Sequence, residues 1–205
     1  AVDFCLENDI ILCNDNAYCD FIYDNDKIHS VLNIDGAREC AIEFYTCSKS
    51  YNMTGWRIGY AVGNARIIGG LKAVKHNLDS GQFTAIQYAC MEALKNGDLF
   101  VLEMRNNYLN RINTAVKRLK AAGLNANKPQ GTFYLWVPVP EGWDSIGFSD
   151  YLLEEARVLT APGLGFGKYG EGFIRFSLTL PDERLEEAMD RIEDAMRYIP
   201  QTRGI

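Results

Sequence analysis

The chain has 205 residues, of which 47% are hydrophobic and 23% charged, with a formal net charge of −6. That length supports one large domain or two small ones around a real core, and the composition excludes disordered, collagen-like and low-complexity chains. An acidic surface repels phosphate backbones, so no nucleic-acid partner is expected, while a local cationic pocket for one small anion stays open.

In chain order, residues 1–8 read as the end of a helix, with Val2, Cys5 and Leu6 apolar. A short natural N-terminal helix and the last turn of a longer one both fit. The run Ile10-Ile11-Leu12-Cys13 marks a short buried strand over 10–14, followed by strands over 41–47 and 57–63. Residues 65–76 and 82–96 read as helices. A long amphipathic helix over 98–122 places Leu102, Leu109, Ile112, Val116 and Leu119 on one stripe and stops at Gly123. Strand 132–139, helix 148–156 and strands near 157–161 and 173–179 follow. The last helix opens at Pro181-Asp182-Glu183, residue types suited to a helix N-terminus. Its apolar face is Leu185, Ala188, Met189, Ile192, Ala195, Met196 and Ile199. Strands separated by helical stretches give an α/β fold class. The organisation divides at the long helix: 1–97 belong to an α/β layer, and 98–205 to the long helix and a smaller α+β unit.

Six cysteines at 5, 13, 19, 40, 47 and 90 form no Cys-x-x-Cys pair, and no Cys/His cluster has zinc spacing, so no metal site is expected. They read as reduced, mostly buried thiols of a cytoplasmic protein. The two histidines, His29 and His76, are far apart, which argues against a His-based triad. No stretch reaches the roughly 18 apolar residues of a membrane helix, so no membrane partner is expected.

Three motifs mislead. Tyr45-Thr-Cys-Ser-Lys49 fits the Tyr-x-x-x-Lys of short-chain dehydrogenases, but it ends a β-type run and no glycine-rich dinucleotide loop precedes it. Gly165-Phe-Gly167-Lys-Tyr-Gly170 fits G-x-G-x-x-G, yet a strand-like segment follows where that fingerprint requires a helix, so it reads as a tight connecting loop. The charges of 182–197 read as a solvated helix face.

Chemistry gathers at Asp15, Tyr18, Lys49, Arg57 and Arg175. Asp15 closes the first strand, where a buried carboxylate is costly unless paired. Tyr18 follows three residues on, Lys49 follows the second strand, and Arg57 comes eight residues later. Taken singly, each has a plain structural reading as a cap, a surface lysine or an ion pair. Together, the segments Asp15-Asn-Ala-Tyr18, Ser48-Lys49-Ser-Tyr-Asn-Met-Thr-Gly-Trp-Arg57-Ile-Gly-Tyr and Phe173-Ile-Arg175-Phe-Ser-Leu resemble the fold-type I, class I and II aminotransferases, which use pyridoxal 5'-phosphate (PLP). The resemblance runs from the first residues to about Tyr198. Within the family the likeness is greatest to the LL-diaminopimelate aminotransferases. It is carried by Tyr51-Asn-Met-Thr-Gly-Trp-Arg57, Asn77-Leu-Asp-Ser-Gly-Gln-Phe83, the stretch from Lys128 to Gly142 and the stretch from Ala161 to Gly172. Aspartate, alanine and aromatic aminotransferases share much of the pattern.

The resemblance implies the fold and the roles. The fold is part of the PLP-transferase large-domain mixed sheet with flanking helices, plus a small α+β C-terminal domain. Lys49 is the catalytic residue that bonds the PLP aldehyde and then shuttles the substrate Cα proton. Asp15 pairs with the pyridine nitrogen and Tyr18 with the ring O3′. Arg57, Thr46 and Ser48 hold the phosphate, with Thr46 standing where the family more often has Ser. Arg175 grips the substrate α-carboxylate of amino-acid and 2-oxo-acid substrates. Cys47, among these groups, reads as inert rather than as a reactive thiol. The family acts as a homodimer, with the Ser80-Gly81-Gln82 region facing the partner's site. Family members run to about twice this length, so the chain is expected to be the C-terminal half alone, inactive by itself. A non-catalytic binding fragment is the alternative.

Overall fold

The protein is described from a computed structural model, which covers residues 1–23 and 30–199; His29 lies outside them. Two compact units divide within one helix, Ala1–Arg105 and the residues from Asn106 onward.

In the first unit, α1 (Val2–Glu7) and α2 (Ala37–Cys40) bury Val2, Cys5, Ala37 and Cys40 against Ala41, with Leu12, Val31 and Leu32 packed around them. A mixed three-stranded sheet runs in the order β1 (Leu12–Asp15), β2 (Ala41–Thr46), β3 (Gly59–Gly63). β1 lies parallel to β2 with Asp15 opposite Phe44, and β3 runs antiparallel with Gly59 opposite Thr46. Two expectations change here. The first strand is not buried: Ile10 and Ile11 are exposed, and β1 alternates between half-buried and exposed positions, so that Cys13 and Asp15 share an exposed face. The third strand starts at Gly59, because Arg57 adopts a left-handed turn conformation with φ of +51° that ends the preceding 3-10 turn.

After β2 comes α3 (Cys47–Ser50), then α4 (Ala65–Leu78), capped by the Asn64 side chain, which accepts from the amides of Arg66 and Ile67, and α5 (Thr84–Asn96). The long helix α6 (Asp98–Ala121) carries the boundary between the units. Its buried positions are Tyr108, Ile112, Ala115 and Leu119, whereas Leu102 is exposed, so the apolar stripe is shorter than its sequence pattern. Gly123, at φ +88°, ends it: its amide bonds the Lys120 carbonyl and the Leu124 amide bonds the Leu119 carbonyl.

The second unit builds an antiparallel sheet in the order β4 (Tyr134–Pro138), β6 (Phe173–Ser177), β5 (Ala161–Pro162). α7 (Ser145–Ala156) starts three residues earlier than the sequence pattern suggests, because Asp144 caps it by accepting from the Gly147 amide at 2.6 Å. α8 (Asp182–Met196) buries Leu185, Ala188, Met189 and Ile192, the core of its expected apolar face. Leu135, Val137, Phe148, Leu152 and Ile174 are fully buried, each worth about 1.5–3 kcal/mol of transfer from water. Arg118 ties α6 to α8 through Asp190 and Glu193, and Arg111 bonds Asp182 at 2.5 Å. The glycine-rich segment 163–170 forms two short 3-10 turns between β5 and β6, joined by Gly167 at φ +109°. A strand follows it, and the dinucleotide reading falls away.

Candidate active site

The turn bearing Lys49 is assembled from beneath. Cys47, Met53 and Ile58 are buried with Cys90 of α5, and Tyr51, Ile86, Ala89 and Ala93 pack on that cluster. This apolar underside pulls the loop onto α5 and turns its polar residues outward. Cys47 Sγ lies 2.6 Å from Cys90 Sγ. Burial, and then the neighbouring Cys90 thiol, pushes the Cys47 thiol up to about 12, which makes it inert at neutral pH.

A chain of hydrogen bonds links the residues expected to hold the phosphate. Thr46 caps α3: its Oγ1 accepts from the Ser48 amide at 3.1 Å and donates to the Ile58 carbonyl at 3.4 Å. Thr54 Oγ1 donates to the Ser48 carbonyl at 3.0 Å, and Arg57 Nη1 donates to the Thr54 carbonyl at 3.1 Å. The Arg57 carbonyl in turn accepts from Gln82 Nε2 at 2.6 Å. Arg57 is exposed. The Thr46 hydroxyl is employed by the fold in both bonds.

Three contacts bring the β1 end to the β2 end. β1 and β2 pair in parallel up to Asp15. Ser50 Oγ donates to the Asp20 carboxylate. Lys49 Nζ sits 5.7 Å from the centre of the Tyr18 ring. Asp15 is exposed, and among the described residues its carboxylate has no hydrogen-bond or ion-pair partner. It therefore escapes the penalty expected for a buried acid.

Arg175 belongs to the second unit. Its guanidinium carbon lies 4.3 Å from the Tyr134 ring centre and 4.6 Å from that of Phe166. Trp136, opposite Arg175 in the β4–β6 register, stacks on Phe173 at 5.6 Å and meets Phe166 edge-on at 5.5 Å. Among the described residues no carboxylate pairs with Arg175, so the structural ion-pair reading does not hold.

Two features escaped the sequence reading. One is the aromatic cage around Arg175. The other is Glu43, a fully buried carboxylate in mid-β2. Its signal was present as a single charge inside the apolar run Ala41-Ile-Glu-Phe-Tyr45, which requires partners elsewhere. Tyr45, of the dehydrogenase-like motif, donates its hydroxyl to Glu43 at 2.9 Å from within a strand, so it does not share a helical turn with Lys49.

The model of the aminotransferase class I and II family matches residues 1–192. The chain belongs to that family. The LL-diaminopimelate aminotransferase 2 of Trichormus variabilis is 48% identical over 198 residues, covering 96% of this chain and 51% of the relative. The LL-diaminopimelate aminotransferase of Nitratidesulfovibrio vulgaris is 47% identical over 192 residues, 93% of this chain and 50% of the relative. Among solved structures, the aromatic aminotransferase of Pyrococcus horikoshii superposes with a TM-score of 0.88 at 39% identity, over 96% of this chain and 53% of that one. The aspartate aminotransferase of Thermotoga maritima gives 0.84 at 32% identity, over 96% and 50%. The chain thus spans about half the length of the curated relatives it matches. Aminotransferases of this family are PLP-dependent. The donor set suits that cofactor: a carboxylate without a partner among the described residues for a protonated ring nitrogen, and an exposed guanidinium with nearby hydroxyls for a phosphate.

Proposed function

We propose that a full-length protein containing this chain transfers an amino group between an amino acid and a 2-oxo acid, with LL-diaminopimelate and 2-oxoglutarate as the favoured pair. The carrying observation is Lys49, held on the turn after β2 beside Tyr18, with Asp15 at the neighbouring strand end. Relatives that bear this substrate's name, at 47 and 48% identity, support the choice of donor.

In this reading Asp15 takes the ring nitrogen of PLP, Tyr18 its ring hydroxyl oxygen, and Arg57, Thr46 and Ser48 its phosphate. The bound cofactor supplies an electron sink for the pair left when the substrate Cα proton is removed. Lys49 Nζ would hold the cofactor covalently and, freed when the substrate amine takes its place, would accept the proton from the substrate Cα and later give it back. Arg175 binds the α-carboxylate shared by both substrates through two parallel N–H bonds, the aromatic cage holding its plane still. The working protein is a cytoplasmic homodimer whose remaining pocket residues come from outside this chain.

An amino-donor screen against 2-oxoglutarate in the full-length protein tests the reading. Glutamate formed fastest from LL-diaminopimelate is the expected result. Glutamate from aspartate or aromatic donors alone reassigns the substrate, and none from any donor overturns the proposal in favour of a binding role.

A further inference from the structure

Glu43 is fully buried and yet has no cation beside it among the described residues. Five donors surround it instead. Its Oε1 accepts from Asn14 Nδ2 at 2.6 Å, from the Val31 amide at 3.0 Å and from Asn16 Nδ2 at 3.1 Å. Its Oε2 accepts from Ser30 Oγ at 2.6 Å and from the Tyr45 hydroxyl at 2.9 Å. A carboxylate, which only accepts, suits this set: the three N–H groups on Oε1 can only donate, and the two hydroxyls on Oε2 are free to donate as well. Burial alone would push the carboxyl upward, but the bonds from Ser30, Tyr45, Val31 and Asn14 hold it below its ordinary value, so it is an anion at neutral pH.

The two asparagines are the immediate neighbours of Asp15. In a strand, side chains alternate between faces. Asn14 and Asn16 reach inward to one carboxylate, so Asp15 between them is turned outward. The register agrees, with Asn14 opposite Glu43 and Asp15 opposite Phe44. The Asn16 amide also bonds the Phe44 carbonyl at 2.9 Å, which ends the strand just past the acid.

We propose that Glu43 is a positioning residue for Asp15: a buried anion that clamps the asparagines on either side of the acid and fixes the direction in which its carboxylate projects. The proposal rests on the reading of Asp15 as the ring-nitrogen partner. A wholly structural Glu43 would weaken the first unit whatever stands at position 15. A positioning Glu43 matters to the cofactor only while Asp15 is an acid.

The test is a double-mutant cycle of Glu43→Gln and Asp15→Asn in the full-length protein, read as the dissociation constant of PLP. Hydrogen exchange of the amides of residues 12–18, measured without cofactor, is the second readout. Glu43→Gln is expected to weaken PLP about tenfold, or ~1.4 kcal/mol, and to speed exchange over 12–18. Added to Asp15→Asn it should weaken PLP no further. Losses that multiply in the double variant, or an unchanged constant in Glu43→Gln beside a weakened Asp15→Asn, overturn the proposal alone. An unchanged constant in Asp15→Asn overturns the ring-nitrogen reading and the proposal with it. If Glu43→Gln does not fold, Asn14→Ala and Asn16→Ala, each removing one donor, enter the same cycle under the same criteria.

Discussion

The Arg175 guanidinium lies against the Tyr134 ring, 4.3 Å from its centre, and no carboxylate among the described residues pairs with it. The Phe166 ring is also near, 4.6 Å from the guanidinium carbon to its centre. In the full-length protein, Arg175→Lys is expected to lower kcat/KM for amino-acid and 2-oxo-acid substrates together, by about 2–4 kcal/mol, because a planar fork becomes a point charge. Equal constants for variant and wild type would place the carboxylate elsewhere.

Lys49 is tested by chemistry rather than by rate. Borohydride treatment of the PLP-loaded full-length protein is expected to leave a phosphopyridoxyl group on the peptide containing Lys49, seen by mass spectrometry. Lys49→Ala should carry none and lose nearly all turnover. A normal adduct in Lys49→Ala would assign the covalent link to another lysine.

Gly163 and Gly170 pack backbone to backbone. A Cβ on Gly163 would lie 1.9 Å from the Gly170 carbonyl oxygen, and one on Gly170 would lie 2.1 Å from that of Gly163. Neither carbonyl can retreat like the end of a side chain. Gly163→Ala is expected to destabilise the 205-residue chain by about 3 kcal/mol. Gly165→Ala, with open space around its Cβ, should stay within about 0.5 kcal/mol of wild type. Urea unfolding compares them, and equal midpoints would refute the close packing.

Glu43 makes stability depend on pH with a definite sign. Its folded value lies below the ordinary 4.5, so the folded chain binds fewer protons than the unfolded one near that pH. Its contribution is complete above the ordinary value and disappears as pH falls through the folded value. Glu171, held down by the Ser145 and Gly172 amides, and Glu193, held down by Arg118, act in the same direction. Urea midpoints should therefore fall in acid. Glu43→Gln should be less stable at pH 7 and show a flatter profile, and parallel profiles would show that Glu43 does not titrate in this range.

The 205-residue chain alone, supplied with PLP, LL-diaminopimelate and 2-oxoglutarate, is expected to form no glutamate above a protein-free blank. A proton shuttle demands placement within about 0.5 Å, and the chain spans half the length of the relatives that perform this reaction. Steady turnover would mean that its own residues complete the pocket.

Most elements were legible because their signals are local: α6 ends at its glycine, α8 begins at Pro181-Asp182, and β2 and β6 fill their apolar runs. Ile10 to Cys13 are apolar enough for an interior strand, yet Ile10, Ile11 and Cys13 are exposed in the 205-residue chain, because burial depends on what lies across the sheet and this chain spans about half the length of its relatives. Lys49, Asp15, Tyr18 and Arg57 stood out only as a set, through the family resemblance that the set carries. Glu43 was not, since its five donors come from positions 14, 16, 30, 31 and 45, and only the folded register brings them to one carboxylate.

The alternation along β1 has a practical side. Of the six cysteines, five are buried and only Cys13 is exposed. It shares the open face of the strand with Asp15, about 7 Å along the chain. The 205-residue chain, taken by itself, thus carries a single exposed thiol next to its proposed ring-nitrogen acid. A maleimide dye or spin label can be attached there without engineering, and it will report on whatever occupies that face.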